Sequence, residues 1–473
     1  MNQRPNILWI YIEDQDPRYG CYGEQLVDTP NIDALADLGV VFERAYAPAP
    51  VCSPSRSGVI TGCYPIRIGV HVQRSSRFPG EEIYLPEGIK TVPELFRDAG
   101  YFTFNNGKDD YNFVYDRTQL YSVGNAGINS PGASKGVQAG GGDWRDCPAD
   151  TPFFAQIQTN GRKDGYSLAQ AQRVLQGLGV DKPALVNPDD VEVPPQYPDI
   201  PEMREMIAAQ LSTMPISDIL VGRIIERLKA DGHWGNTVIF LLSDHGALFP
   251  RAKQMCYEEG LRVPLIIAAP GMTDLAELIP PATRRSEPTA LLDVAATTLE
   301  LAGITTPDYM DSVDLFTAAS SDRPVFSDVF SARDRCEWVV DRVRSVIGGR
   351  YHYIKNFMTD RPLAQYNFRS DWAAIAKTKE MYERGELTPA QALLYGTRPT
   401  EELYDLVNDP HELVNLAGET EHQTTLLDMR KAVEDWIEKT DDRGQYPESP
   451  AALKLTKLQF PEQWTDPIFQ ELD

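Results

Sequence analysis

The run Asn6-Ile7-Leu8-Trp9-Ile10-Tyr11-Ile12 is apolar at nearly every position and then turns abruptly acidic at Glu13-Asp14-Gln15-Asp16. A half-exposed strand alternates apolar and polar residues, whereas a strand covered on both faces reads as a continuous apolar stretch. This run therefore predicts a buried strand of a parallel sheet. Residues 40–46, 101–105, 153–158, 237–243 and 263–269 have the same texture, and 324–330 predicts a last strand of the same sheet. Between them lie helical signals: Thr29-Pro30-Asn31 opening 29–35, then 91–99, the long periodic stretch 203–230 and the amphipathic 290–302. Strands alternating with helices imply a large, mostly parallel sheet sandwiched by helices.

After about residue 343 the pattern changes. Residues 345–354 read as a hairpin around Gly348-Gly349, residues 402–406 as a short strand before Asn408-Asp409-Pro410, and 423–440 as a helix. The reading is an α/β unit over 1–342 and a smaller antiparallel α+β unit over 343–473. Residues 121–152 are rich in Gly, Ser, Asn and Pro, have no period and include Gly140-Gly141-Gly142. Such a segment inside a compact enzyme predicts a loop over the active site. Residues 189–201 read as extended and Pro-rich.

Composition narrows the function classes. The 473 residues are 42% hydrophobic, enough for a sizeable core, and the formal charge is −24. That balance argues against nucleic-acid or anionic-membrane partners. An anionic substrate would need a local cluster of Arg, Lys and metal working against the global field. Cys21, Cys52, Cys63, Cys147, Cys256 and Cys336 show neither CxxC nor zinc-like spacing, so no disulfide framework or structural zinc is expected. The chain enters its first strand directly after Met-Asn-Gln-Arg-Pro, with no signal-peptide pattern, and no apolar run approaches membrane-spanning length. The expectation is a cytoplasmic protein, or a periplasmic one if a signal has been removed.

The chemistry gathers around Val51-Cys52-Ser53-Pro54-Ser55-Arg56 and the Thr61-Gly62 that follows. Ser53 is a natural N-cap and proline suits a first helical turn, which sets Cys52 at a helix N-terminus where anions are favoured. Arg56 lies one turn further on. Two strand ends carry paired ligands, Glu13-Asp14 and Asp244-His245. Strands distant in sequence can be neighbours in a parallel sheet, so the two pairs can converge on one hard cation; calcium suits the oxygens, and His245 leaves manganese open. Lys108, Lys163 and Lys253 each follow a strand end and can form a basic pocket, and His71 lies shortly after the Cys52 helix, where it could line the cleft.

Taken together, Arg4-Pro5-Asn6-Ile7, the Cys52 motif, Gly107-Lys108, Ser243-Asp244-His245-Gly246, Lys253 with 257–264, and 402–410 resemble type I sulfatases of the alkaline phosphatase superfamily, in the same order. Ile12-Glu13-Asp14-Gln15, Ala49-Pro50-Val51-Cys52 and 345–356 are most similar to bacterial heparan N-sulfatase-related members. The resemblance implies an alkaline phosphatase-like fold and a formylglycine made from Cys52 by a formylglycine-generating enzyme. It implies a divalent cation, usually calcium, on Glu13, Asp14, modified Cys52, Asp244 and His245, with Arg56, Lys108 and Lys253 as catalytic partners. A hydrated aldehyde attacks sulfur through one hydroxyl, and the second then expels sulfate. The expected substrate is a small sulfated saccharide carrying a sulfate ester or a sulfamate. The chain departs from the family at Glu13, where an Asp is common, and at Asp110 and Lys163, where His is usual. Those two become candidate substrate-binding residues together with His71. Phosphonate or phosphate ester hydrolysis with the same nucleophile, and silent binding of sulfated glycans, are the alternatives.

Overall fold

The computed structural model describes residues 4–75, 80–123, 138–139, 141–316, 328–459 and 467–470. Strands in the first unit are β1 (Asn6–Ile12), β2 (Gly39–Tyr46), β3 (Phe102–Lys108), β4 (Gln138–Ala139), β5 (Phe153–Thr159), β6 (Thr237–Ser243), β7 (Arg262–Ala268), β8 (Thr283–Arg285) and β9 (Thr289–Ala290). They form one sheet in the order β4-β3-β5-β1-β6-β7-β2-β8, with β9 beside β2. β1, β3, β5 and β6 are mutually parallel, whereas β7 runs antiparallel to both β6 and β2. The sheet is thus mixed and mostly parallel. Side chains on its two faces enter two large apolar cores.

Register places the chemistry. Ile12 of β1 is paired with Thr159 of β5 on one side and Ser243 of β6 on the other. The segments that follow, beginning at Glu13, Asn160 and Asp244, therefore emerge side by side at one carboxyl edge, where open α/β sheets bind ligands.

A second, antiparallel sheet of β10 (Val329–Arg333), β11 (Val343–Gly348), β12 (Tyr351–Asn356) and β13 (Glu401–Asp405) lies at the C-terminal side. The hairpin loop is Gly349-Arg350, and Gly349 has φ +55°, which glycine adopts without strain. Helix Gln423–Thr440 covers this sheet and stacks Trp436 on Phe330 at 5.0 Å.

Three expectations change. The strand expected to close the large sheet begins at Val329 and heads the small sheet instead, so the second architecture starts before residue 343; residues 324–327 lie outside the described residues. The periodic stretch 203–230 is two helices, Pro201–Leu211 and Met214–Ala230, parted at Ser212-Thr213 just before Pro215, which lacks an N–H. Of the loop expected over 121–152, residues 124–137 and 140 lie outside the described residues, and its described end carries Trp144 into the core. Among the described residues, no helix is long and apolar enough to cross a membrane.

Candidate active site

Cys52 is the first residue of helix Cys52–Thr61, every residue of which is buried. Val51 rather than Ser53 is the N-cap; the Ser53 hydroxyl instead accepts the Arg74 N–H at 3.1 Å. The Cys52 thiol lies 3.3 Å from His245 Nε2, 3.3 Å from Lys253 Nζ, 3.5 Å from Glu13 Oε1 and 3.8 Å from Asp14 Oδ1. Residues from four separate stretches of chain thus meet at one sulfur.

The carboxylates divide the work. Ligand atoms of Asp14, Cys52, Asp244 and His245 all lie within 4.8 Å of one another, and all four residues are buried. Asp14 Oδ1 accepts from Lys253 at 2.7 Å and lies 2.8 Å from His245 Nε2, while its Oδ2 is buried with no hydrogen-bond partner. Leaving a carboxylate oxygen bare inside a protein is costly, and a cation would satisfy it. His245 Nδ1 is 2.8 Å from the Gly246 carbonyl; donation there leaves Nε2 with a lone pair facing the cluster. This donor set fits a divalent ion.

Glu13 is arranged differently from the expectation. It stands outside that four-residue set, and its carboxylate is taken up by basic groups. Arg56 Nη2 is 2.6 Å from Oε2, and Lys163 Nζ at 2.5 Å and Lys108 Nζ both reach Oε1. The longer side chain carries the charge past that four-residue cluster to the lysines. Burial opposes its ionisation, but Lys108, Arg56 and Lys163 hold it well below the usual carboxylate range. Asp14 is likewise held down, against burial, by Lys253, Lys163 and His245. Burial works against charge on His245, yet Asp244, Cys52 and Asp14 raise it to about 10; a cation held by the same groups would take the place of that proton on Nε2.

Arg56 fixes the frame. Its Nε meets Asp244 Oδ2 at 2.9 Å, its Nη1 donates to Gln158 Oε1 at 2.8 Å, and its guanidinium lies 4.7 Å over the Tyr11 ring. One buried cation therefore joins the ends of β1, β5 and β6. The planar fork suits that task in a way a lysine cannot.

Asp110 is within the ring of groups, with Lys108 Nζ at 3.0 Å and Arg74 Nε at 3.8 Å. His71 is not joined to it by any described contact. The charges acting on His71 most strongly are those of Asp334, Arg344, Asp442 and Glu448, and burial lowers it from its ordinary value.

Arg74, Gln158 and Glu337 join the site without having been foreseen; Arg74 Nη1 lies 3.5 Å from Glu337 Oε1. Gln158 ends a predicted strand on the ligand edge and was findable by that rule. Arg74 and Glu337 follow no strand and carry no such signal. Their backbones do: Asp14, Arg74, Asp110, Gln254 and Glu337 all have φ between +53° and +73°. Left-handed conformations at non-glycine residues cost of order 1 kcal/mol each and cluster at functional sites.

The Sulfatase family profile matches residues 5–304, which spans β1, the Cys52 helix, the lysines and Asp244-His245. The chain belongs to the sulfatase family. This sulfatase is 28% identical over 495 residues to an ulvan-active sulfatase of Formosa agariphila, covering 96% of this chain and 78% of that one. It is 24% identical over 471 residues to the human N-sulphoglucosamine sulphohydrolase, covering 92% and 90%. In fold it is similar to a protein solved in complex with its substrate D-glucosamine-2-N,6-O-disulfate, with TM-score 0.61, 18% identity and 93% and 99% coverage. The phosphonate monoester hydrolase of Agrobacterium radiobacter is similar at TM-score 0.60, with 17% identity over 92% and 96% of the chains. The sulfatase is a sulfuric ester hydrolase with an alkaline phosphatase-like fold.

Proposed function

We propose that this sulfatase removes a sulfate ester or sulfamate group from a small sulfated saccharide, with Cys52 converted to formylglycine and a divalent cation, calcium in our reading, held by Asp14, position 52, Asp244 and His245. One observation carries the reading: the buried cluster of Asp14, Cys52, Asp244 and His245, with Asp14 Oδ2 bare, is ringed by Arg56, Lys108, Lys163 and Lys253. An anion entering an acidic protein finds its counter-charge there. When bound, the cation supplies Lewis acidity at the sulfate oxygens, and the modified side chain supplies an oxygen nucleophile.

The chain's own residues do the rest. Lys253 sits against position 52 and neutralises charge on the group attacked there. Lys108 and Lys163 share Glu13 on the side open to solvent, which suits them to the remaining sulfate oxygens and the leaving atom. Glu13 and Asp14 raise Lys163 above its ordinary value against the effect of burial, so it acts by charge and keeps its proton. Asp110 is suited to accept from a substrate hydroxyl or ammonium. The saccharide class is supported by the relatives, which include an ulvan-active sulfatase and an N-sulphoglucosamine sulphohydrolase.

Mass spectrometry of the Cys52 peptide, after co-production with a formylglycine-generating enzyme, tests the nucleophile. An aldehyde at position 52 is expected. An unmodified thiol in a preparation that still releases sulfate would refute it. Turnover of an aryl sulfate beside an aryl phosphonate on the same preparation tests the group transferred, with the sulfate expected to be the better substrate.

A further inference from the structure

Three aromatic side chains stand beside the site, and nothing in the chemistry above uses them. Tyr166 is 47% exposed and Phe368 41% exposed, and partly buried Trp372 touches both. The Tyr166 and Trp372 ring centroids are 5.6 Å apart at 61°, and those of Phe368 and Trp372 are 6.2 Å apart at 84°. Single exposed aromatic residues are ordinary on protein surfaces. Three in contact, contributed by segments about two hundred residues apart, form a surface the fold has assembled.

Both segments are tied to the catalytic cluster. Tyr166 follows Lys163 closely, and Gln170 clamps the turn: its Nε2 donates to the Lys163 carbonyl at 2.9 Å, and its Oε1 accepts the Tyr166 N–H at 3.1 Å. Burial is the main influence on the Tyr166 hydroxyl, and the charges of Asp14, Lys163 and Lys253 act on it too. Phe368 and Trp372 flank the buried Arg369, which donates to the carbonyls of Phe249 and Lys253, each at 2.8 Å. Lys253 is the residue whose Nζ lies 3.3 Å from the Cys52 sulfur. The Arg162 guanidinium lies 6.0 Å from the Tyr166 ring centroid, and that of Arg369 lies 5.6 Å from the Phe368 centroid.

We propose that Tyr166, Trp372 and Phe368 form a stacking subsite for the sugar residue adjoining the one that carries the scissile sulfate. The inference rests on the saccharide reading above. A pyranose offers a face of C–H groups to an aromatic ring and keeps its hydroxyls in water, and aromatic side chains bury area with few rotatable bonds. Stacking is indifferent to charge. That matters on a chain of formal charge −24, whose net field opposes the approach of a polyanionic saccharide.

Steady-state kinetics of Tyr166→Ala, Phe368→Ala and Trp372→Ala on a sulfated monosaccharide and on a disaccharide with the same sulfated residue test the subsite. KM for the disaccharide should rise about 5- to 20-fold, the effect of losing one stacked ring. Its kcat, and both constants for the monosaccharide, should stay within about twofold. Tyr166→Ala lies on a different segment from the other two, so it remains informative if Trp372→Ala fails to fold; melting midpoints show which variants are intact. Equal losses on both substrates, or none on either, would overturn the subsite while leaving the saccharide reading intact. Wild-type turnover of an aryl sulfate with no turnover of any saccharide would overturn both. A change in sedimentation without a change in KM would assign the rings to a contact between copies of the chain and overturn the subsite.

Discussion

Gly161 shows how closely single residues control this site. It has φ +51°, and a Cβ there would lie 2.0 Å from the Glu13 carbonyl oxygen. The loop carrying Lys163 can approach the end of β1 only because that atom is missing. Gly161→Ala should therefore cost at least about 2 kcal/mol in urea unfolding and lower kcat by displacing Glu13 and Lys163 together. Arg56→Ala should do more harm to stability, because it removes the buried counter-charge of Asp244 and one of the three cations on Glu13. Breaking such a buried pair costs about 3–5 kcal/mol, readable as a shifted unfolding midpoint. Sequence pattern located Cys52, Arg56, Lys108 and Lys253 because each follows a motif or a strand end. It could not show that Glu13 would turn to the lysines, because side-chain direction is a tertiary property. Arg74 and Glu337 were illegible for the same reason, as a left-handed backbone at a non-glycine residue leaves no mark in composition.

At the scale of elements, the apolar runs predicted β1 and β6 residue for residue, since short runs rich in β-branched and aromatic residues with sharp polar ends suit a buried strand better than a helix. Strand direction was less legible. β7 has the same texture as the mutually parallel strands β1, β5 and β6 yet runs antiparallel to β6, because burial on both faces does not encode orientation. The same limit applies to β10, whose sequence suits either sheet; its place follows from pairing with β11. The small sheet is held by buried ion pairs, among them Arg344 to Asp442 at 2.8 Å and Arg342 to Asp442 at 3.0 Å. Against the effect of burial, these two arginines hold the Asp442 carboxylate down at about 2. A group with a depressed folded pKa binds its proton more readily when unfolded, so its contribution is present above its unfolded value near 4 and is lost as pH falls towards 2. Asp442→Asn should lose roughly 2 kcal/mol relative to wild type at pH 6, and urea titrations should show that gap closing between about pH 4 and pH 2.

Across the whole molecule, the sheet gathers ligands and cations that no short segment could bring together. β1 lies between β5 and β6, and three segments leave the same edge. The Cys52 helix is tied to the Lys253 loop by the Gln254 N–H on the Pro50 carbonyl at 2.8 Å, and the small sheet adds Ala332 N–H on the Pro48 carbonyl at 3.0 Å. A cation linking Asp14, Asp244 and His245 would stabilise only the folded chain, so chelation should lower both the melting midpoint and turnover, and calcium should restore both. A midpoint indifferent to chelator would count against that ligand set. The central claim is sulfate release through position 52, and the direct measurement is inorganic sulfate liberated from N- and O-sulfated glucosamine and its disaccharides. Wild type co-produced with a formylglycine-generating enzyme should release sulfate from at least one of them, and Cys52→Ala prepared alongside should release none. Equal release by both proteins would contradict the account.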